Sequence, residues 1–293
     1  MRRALLYVIT VYASAPVVLY LFPWILGHIV FSHLLRFPFF VDLSRPELVL
    51  NHTCNFYLNT DEGVSTLFVC HEAAGKRPEW YRETLKDGNP VIIYLHGNLG
   101  TRWDESSIEV ILSAAGYHVL SLDYRGFGDS TGEPSEAGLT SDALYLYHWV
   151  KVHSRGGLVC LWGHSLGTGV ATNTAVKLQE QGGTCFGTYW IGTTLNLLMM
   201  KSEHSHQRPS LAAFCSAVCD RDMFHLNTSS LKTVTSPLLI LHAEDDNILY
   251  QISLQARKKT ETDAQVEMIS YSTRRGFSHN DIYLDPNLSD AVG

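Results

Sequence analysis

Gly163-His164-Ser165-Leu166-Gly167 sets a hydroxyl between two glycines. The apolar run 158–162 leads into it, and Val170, Thr174 and Leu178 follow at helical spacing. A serine on so tight a strand-to-helix turn needs small neighbours, because a Cβ at Gly163 or Gly167 would strike adjacent backbone. The turn exposes the Ser165 hydroxyl at the carboxyl end of the strand, where open α/β sheets bind ligands. Ser165 is therefore the candidate nucleophile. The plainer alternative is a glycine-rich turn in which Ser165 only caps a helix.

A serine hydroxyl attacks poorly unless a base takes its proton, and the base must be oriented by a carboxylate. On this type of turn the chain order is serine, acid, histidine. The run Leu238-Leu239-Ile240-Leu241-His242-Ala243 leads into Glu244-Asp245-Asp246. Asp246 is the preferred acid because Ile248 and Leu249 after it can tuck the loop back; Asp245 ranks second and Glu244 third. His279 is the one histidine after Asp246 among 14 in the chain, and position makes it the candidate base. An oxyanion needs two preorganised donors. The amide of Leu166 is one candidate, and the loop His96-Gly97-Asn98-Leu99-Gly100 supplies the other, with Asn98 preferred and Leu99 the alternative.

These residues need a scaffold of strands that end together. The runs 91–95, 116–122, 158–162 and 237–241 are short and apolar, as strands buried on both faces are, and 266–271 reads as the last strand. Leu139, Ala143, Leu146 and Val150 fall on one helical face between them. Alternating strands and helices imply a mostly parallel sheet with helices on both faces. Upstream, residues 55–70 read as two short strands around a turn at 61–63, joined to the rest by a polar stretch at 73–89.

Composition removes several other classes. The 293 residues carry 22 Lys+Arg against 29 Asp+Glu, a net charge of −7 without a long basic run, so nucleic-acid binding is not expected. Charged residues are only 17% and hydrophobic ones 45%, which excludes disorder. Much of the charge deficit lies in the 32 residues between Arg3 and Arg36, which contain no Asp, Glu, Lys or Arg. About 20 apolar residues cross a bilayer, so a transmembrane anchor is expected within 1–36. The competing reading is a cleaved signal peptide with Ala13-Ser14-Ala15 as its site, opposed by Pro16 and by the continuing apolar run.

Arg2 and Arg3 favour a cytosolic N-terminus and place the bulk of the chain across the membrane. Three glycosylation acceptors, Asn51, Asn227 and Asn287, agree with that side, although about one or two would arise by chance. Cys215 and Cys219 with His204 and His206 lack a second close ligand pair, so no metal site is expected, and no cofactor is implied. The six cysteines leave any disulfide pairing open.

Together, His96 to Thr101, Asp123-Tyr124-Arg125-Gly126-Phe127-Gly128-Asp129-Ser130, Trp162 to Gly169 and Leu238 to Asp246 resemble the α/β-hydrolase-domain serine hydrolases. Val41-Asp42-Leu43 and Asn51 to Leu58 extend the likeness to the membrane-anchored monoacylglycerol and lysophosphatidylserine lipase branch. The resemblance implies an α/β-hydrolase fold, with Ser165 as nucleophile, Asp246 as acid and His279 as base, facing the ER lumen or the outside. The expected layout is an anchor at 1–36, N-terminal strands and linker at 37–90, and a catalytic domain at 91–293 with a cap near 192–230. Three places depart from the family pattern. Gly187 to Thr194 replaces a Glu-Ser/Ala-Pro-Phe stretch, which leaves the sixth strand unassigned; Leu249-Tyr250 stands where Val-Pro is usual; and the 14 residues after His279 are too few for the family's last helix.

The expected activity is hydrolysis of lipid acyl esters, monoacylglycerol or a lysophospholipid, through an acyl-enzyme. The partners are then the lipid ester and the bilayer, and oligomeric state is left open. Two alternatives stand beside it: cleavage of palmitoyl thioesters on protein, and a catalytically weak membrane-tethered regulatory or binding protein.

Overall fold

The computed structural model describes residues 31–34, 53–58, 65–69, 78–101, 106–182, 187–191, 233–246 and 265–292, with single positions 14, 18, 21, 22, 25, 28, 42, 45 and 60. The cap region, Asn51, Asn227, the turn at 61–63, the cysteines beyond Cys54 and Cys160, and the Ile248-Leu249 pair lie outside these residues. Among the described residues no helix is long and apolar enough to cross a membrane.

Eight strands form one sheet in the order β1-β2-β4-β3-β5-β6-β7-β8. They are β1 (Thr53–Tyr57), β2 (Ser65–Val69), β3 (Val91–Leu95), β4 (His118–Asp123), β5 (Val159–His164), β6 (Gly187–Ile191), β7 (Leu238–Ala243) and β8 (Val266–Tyr271). β1 and β2 pair antiparallel and add to β4 in the same sense, as the hairpin reading required; every other pair is parallel. The sixth strand, which the sequence left unassigned, is present: Trp162 of β5 lies beside Tyr189, and Tyr189 beside Leu239 of β7.

Among the described residues five helices accompany the sheet: α1 (Pro78–Thr84), α2 (Ser106–Ala114), α3 (Glu136–His153), α4 (Leu166–Glu180) and α5 (Leu288–Val292). The sequence reading took α1 for part of a polar link and did not assign α2. After His279 only α5, of five residues, follows a short 3-10 turn.

Successive strand residues point to opposite faces, and the core divides accordingly. Val91, Ile93, Leu95 and Leu161 pack with Leu139, Leu146, Val170 and Leu178 of α3 and α4. Ile92, Tyr94, Cys160 and Trp162 face the other way, onto Ile108 and Leu112 of α2 and onto Phe277, Ile282 and Leu288. β3, β4, β5 and β7 are buried along their whole length, as their unbroken apolar runs required. Because β3, β5, β7 and β8 run parallel, their carboxyl ends open on one edge of the sheet. That edge carries Asn98, Ser165, Leu166, Asp246 and His279.

Candidate active site

β5 ends at His164 and α4 begins at Leu166, so Ser165 alone makes the reversal. It does so with φ 49° and ψ −111°, outside the regions ordinary side chains favour. Such strain persists only where the surroundings over-determine it, and the flanking glycines show how. A Cβ on Gly163 would lie 2.4 Å from the Gly167 carbonyl oxygen, and one on Gly167 would lie 1.8 Å from the Leu95 carbonyl oxygen. The tight turn thus lets α4 press onto β3 and turns the Ser165 hydroxyl toward the edge.

There the hydroxyl meets His279. Ser165 Oγ lies 3.1 Å from His279 Nε2, and His279 Nδ1 lies 2.8 Å from Asp246 Oδ2. A carboxylate only accepts, so Nδ1 carries the proton and Nε2 presents a lone pair to the serine hydroxyl. Asp246 is 1% exposed and Ser165 5%, which keeps the relay largely out of water.

The adjacent acids are divided by the fold. Asp246 turns inward after β7, its amide donating to the Ala243 carbonyl (3.1 Å), and reaches the imidazole. Asp245 instead accepts the Ser278 amide (3.0 Å), one residue before His279. Ser278 has a left-handed φ of 48°, and the Asp245 carboxylate holds that backbone turn. Glu244 is exposed, and its amide donates to the Tyr271 carbonyl and ties β7 to β8. The loop is further packed by Phe277 edge-on to Tyr271, with the Arg275 guanidinium 5.7 Å from the Phe277 ring. Burial, reinforced by Asp285, pushes the Tyr271 phenol up to about 12, so it stays neutral beneath the loop.

Replacing Asp245 by Ala is expected to lower kcat about 10- to 100-fold with little change in KM, since a displacement near 1 Å costs on that order. The Asn variant keeps an acceptor oxygen and should recover most of the loss. Steady-state kinetics on both variants decides it, and an Ala variant with unchanged kcat refutes the role.

His164 is a neighbour whose part the sequence reading missed, although it fills the variable position before Ser165. Its Nε2 donates to the His279 carbonyl (3.3 Å), so the strand that delivers the nucleophile also grips the loop that delivers the base.

The loop after β3 closes the opposite side. A Cβ on Gly97 would stand 3.3 Å from Ser165 Cβ, so this loop runs directly against the nucleophile. Its start is held by Tyr124, whose hydroxyl donates to the His96 carbonyl (3.1 Å) and whose phenol is pushed far above its usual range, chiefly by complete burial. Gly97 to Gly100 forms a turn, the Gly100 amide donating to the Gly97 carbonyl (3.1 Å). Within it the Asn98 side chain faces Ser32, accepting the Ser32 amide at 3.1 Å and donating to Ser32 Oγ at 3.3 Å. Leu166, the first residue of α4, is buried directly beside Ser165.

The Asp123 to Ser130 run forms the next loop along the edge. Arg125 binds Asp142 of α3 through its guanidinium (2.7 Å) and its backbone amide (2.9 Å), and Ser130 Oγ donates to the Asp123 carbonyl. These contacts fix the loop rather than meet a substrate. Asn287 is exposed at the surface before α5. Cys160 is buried within β5.

Comparison with known proteins agrees with this architecture. Residues 90–213 match the family model of the alpha/beta hydrolase fold. The lysophosphatidylserine lipase ABHD12 of Xenopus tropicalis is 39% identical over 323 residues, covering 98% of this chain and 80% of its own. The ABHD12 of Danio rerio is 36% identical and covers 100% and 82%; the human protein ABHD12B is 39% identical and covers 89% and 77%. Among solved structures, an alpha-beta hydrolase from Vibrio vulnificus superposes with a TM-score of 0.66 at 17% identity over 92% of this chain and 91% of that one. An esterase from Pyrococcus furiosus gives 0.58 at 17% over 85% and 91%. The Xenopus alignment is longer than this chain, so that relative carries residues within the aligned span that have no counterpart here. The chain belongs to the ABHD12 family of α/β-hydrolases.

Proposed function

We propose that the chain is a serine hydrolase that cleaves acyl esters of lipids, with a lysophospholipid such as lysophosphatidylserine, or a monoacylglycerol, as substrate. The observation that carries this is the continuous relay from Asp246 through His279 to Ser165 at a buried strand-to-helix turn. His279 Nε2 takes the hydroxyl proton as Ser165 Oγ attacks the ester carbonyl. The carbonyl π electrons move to oxygen, and the amides of Leu166 and Asn98 receive that oxyanion. Collapse expels the alcohol, which takes the proton from His279, and leaves the acyl group on Ser165. Water, deprotonated by His279, then releases the fatty acid and restores the serine. Asp246 holds the imidazole in the tautomer these transfers require.

The names of the relatives favour a lysophospholipid head group. An N-terminal anchor keeps the site beside its lipid. It is supported by the uncharged 32-residue stretch and by Val18, Leu21 and Phe22, which are exposed within it. We place the catalytic domain on the lumenal face of the ER membrane, consistent with Arg2 and Arg3 before the anchor and with the exposed Asn287.

The test is fatty-acid release by membranes carrying the full chain, from lysophosphatidylserine, monoacylglycerol and palmitoyl-thioester substrates, run beside fluorophosphonate labelling. Ser165-dependent labelling with release from the lipid esters is expected. Turnover of the thioester alone shifts the substrate to protein, and absence of labelling on folded protein removes the enzyme reading. Topology is read separately by glycosidase shift and protease protection; an unglycosylated, protease-accessible domain on intact microsomes overturns the lumenal placement.

A further inference from the structure

Away from the relay, three ligating side chains converge where the N-terminal segment meets the catalytic domain. His28 Nδ1 lies 3.2 Å from His33 Nε2, and His33 Nε2 lies 3.9 Å from Glu133 Oε2. One ligand atom from each of the three falls within 4.8 Å of the others. Glu133 lies 100 residues after His33, so only the fold brings it to the histidines.

The His33 ring decides what this cluster can do. Its Nδ1 is 2.8 Å from the Phe31 carbonyl oxygen, which can only accept. Nδ1 therefore carries the proton, and in the neutral ring Nε2 is left as a lone pair facing His28 and Glu133. A ring nitrogen fixed as a lone pair by a backbone carbonyl on its other nitrogen is the usual outer-shell arrangement of a metal-bound histidine. His33 is also immobile: it is 6% exposed and packs 6.0 Å from the Phe127 ring.

We propose that His28, His33 and Glu133 form a zinc site that fastens the segment entering the catalytic domain to the loop after β4. Two nitrogens and one carboxylate oxygen suit zinc, with water in the fourth position. Zinc bonds of about 2.0–2.1 Å put tetrahedral ligand atoms roughly 3.3 Å apart, which the 3.2 Å His28–His33 pair already meets. By the same measure Glu133 needs to close by about 0.6 Å on His33 and by up to about 1.5 Å on His28, and its side chain, 80% exposed, is at liberty to do so. The remaining charge balance is favourable, since one carboxylate offsets part of the cation and neutral imidazoles supply the rest of the shell.

The position gives the metal a consequence. Ser32, between the two histidines and Glu133's partner loop, is the residue bonded to Asn98 beside the nucleophile. A cation on His28 and His33 holds Ser32 in place and with it the loop after β3.

The experiment uses the full-length protein in detergent, stripped with chelator and dialysed against zinc, with cobalt(II) as a spectroscopic probe. One zinc per chain is expected, a tetrahedral cobalt spectrum, and a melting temperature raised by roughly 5 °C at a hundredfold excess over Kd. His28→Gln and Glu133→Gln each leave the buried His33 packing intact and should weaken binding at least tenfold and abolish the thermal shift. Zinc bound equally by wild type and both variants places the metal elsewhere and overturns the proposal. So does binding well below one equivalent by wild type.

Discussion

Ser165→Ala is expected to lower lipid-ester turnover by a factor of about a million while leaving the fold intact. Removing a serine nucleophile elsewhere has cost on that order, with a residue of catalysis from the oxyanion donors and binding. The fold should tolerate the change. Ala carries the same Cβ into the strained φ of 49°, and the one described partner lost by the hydroxyl is His279 Nε2 at 3.1 Å. His279→Ala alone should cost nearly as much, and the double variant little more than either single one, because attack requires both groups in the same step. Kinetics of the two single variants and the double, each checked by thermal melting, measures this. Additive losses in the double variant, or a Ser165→Ala protein with more than about 1% of wild-type turnover, contradict the assignment.

Gly167→Ala should act on the fold. The added carbon would sit 1.8 Å from the Leu95 carbonyl oxygen and 2.6 Å from its carbonyl carbon. Both belong to the backbone of a central strand that is paired on each side, so no rotamer relieves the clash. α4 must move away from β3, opening the packing of Val170 and Leu178 against Ile93 and Leu95. Losses above about 4–5 kcal/mol are exceptional for single substitutions, yet they approach the whole stability of many domains, about 5–15 kcal/mol. Little folded protein is expected, with no sharp melt and no Ser165 labelling. A Gly167→Ala protein that melts and labels like wild type would mean that α4 does not seat as described.

Legibility in the sequence followed burial. β3, β4, β5 and β7 stood out because strands covered on both faces are continuous apolar runs; their observed ends, and those of the largely exposed β8, lie within two or three residues of the reading. α1 did not, because Pro78–Thr84 is mostly polar and touches the core through Trp80. α2 could have been found, since Ile108 and Leu112 are spaced four apart and both are buried. At the site, chain order selected Ser165, Asp246 and His279, and these are the residues the fold brings within hydrogen-bond reach. Chain order alone did not separate Asp245 from Asp246, identical side chains one residue apart; the preference for Asp246 rested on Ile248 and Leu249, which lie outside the described residues, while the turn after Ala243 is what directs the two apart. The Ser32–Asn98 pair and the approach of Glu133 to His28 and His33 had no local pattern, being contacts made between distant parts of the chain.

The order of strands also governs when the nucleophile acquires its base. β8 is the outermost strand on its side of the described sheet and pairs only with β7, and His279 lies beyond it. During synthesis the elbow around Ser165 and the β3–β5 pair can form more than 100 residues before His279 leaves the ribosome, because domains assemble from the N-terminal side as the chain emerges. Until β8 docks, Ser165 is an ordinary alcohol. A nascent chain therefore carries a shaped but inert pocket, and reactivity begins only when β8 docks and brings His279 to it.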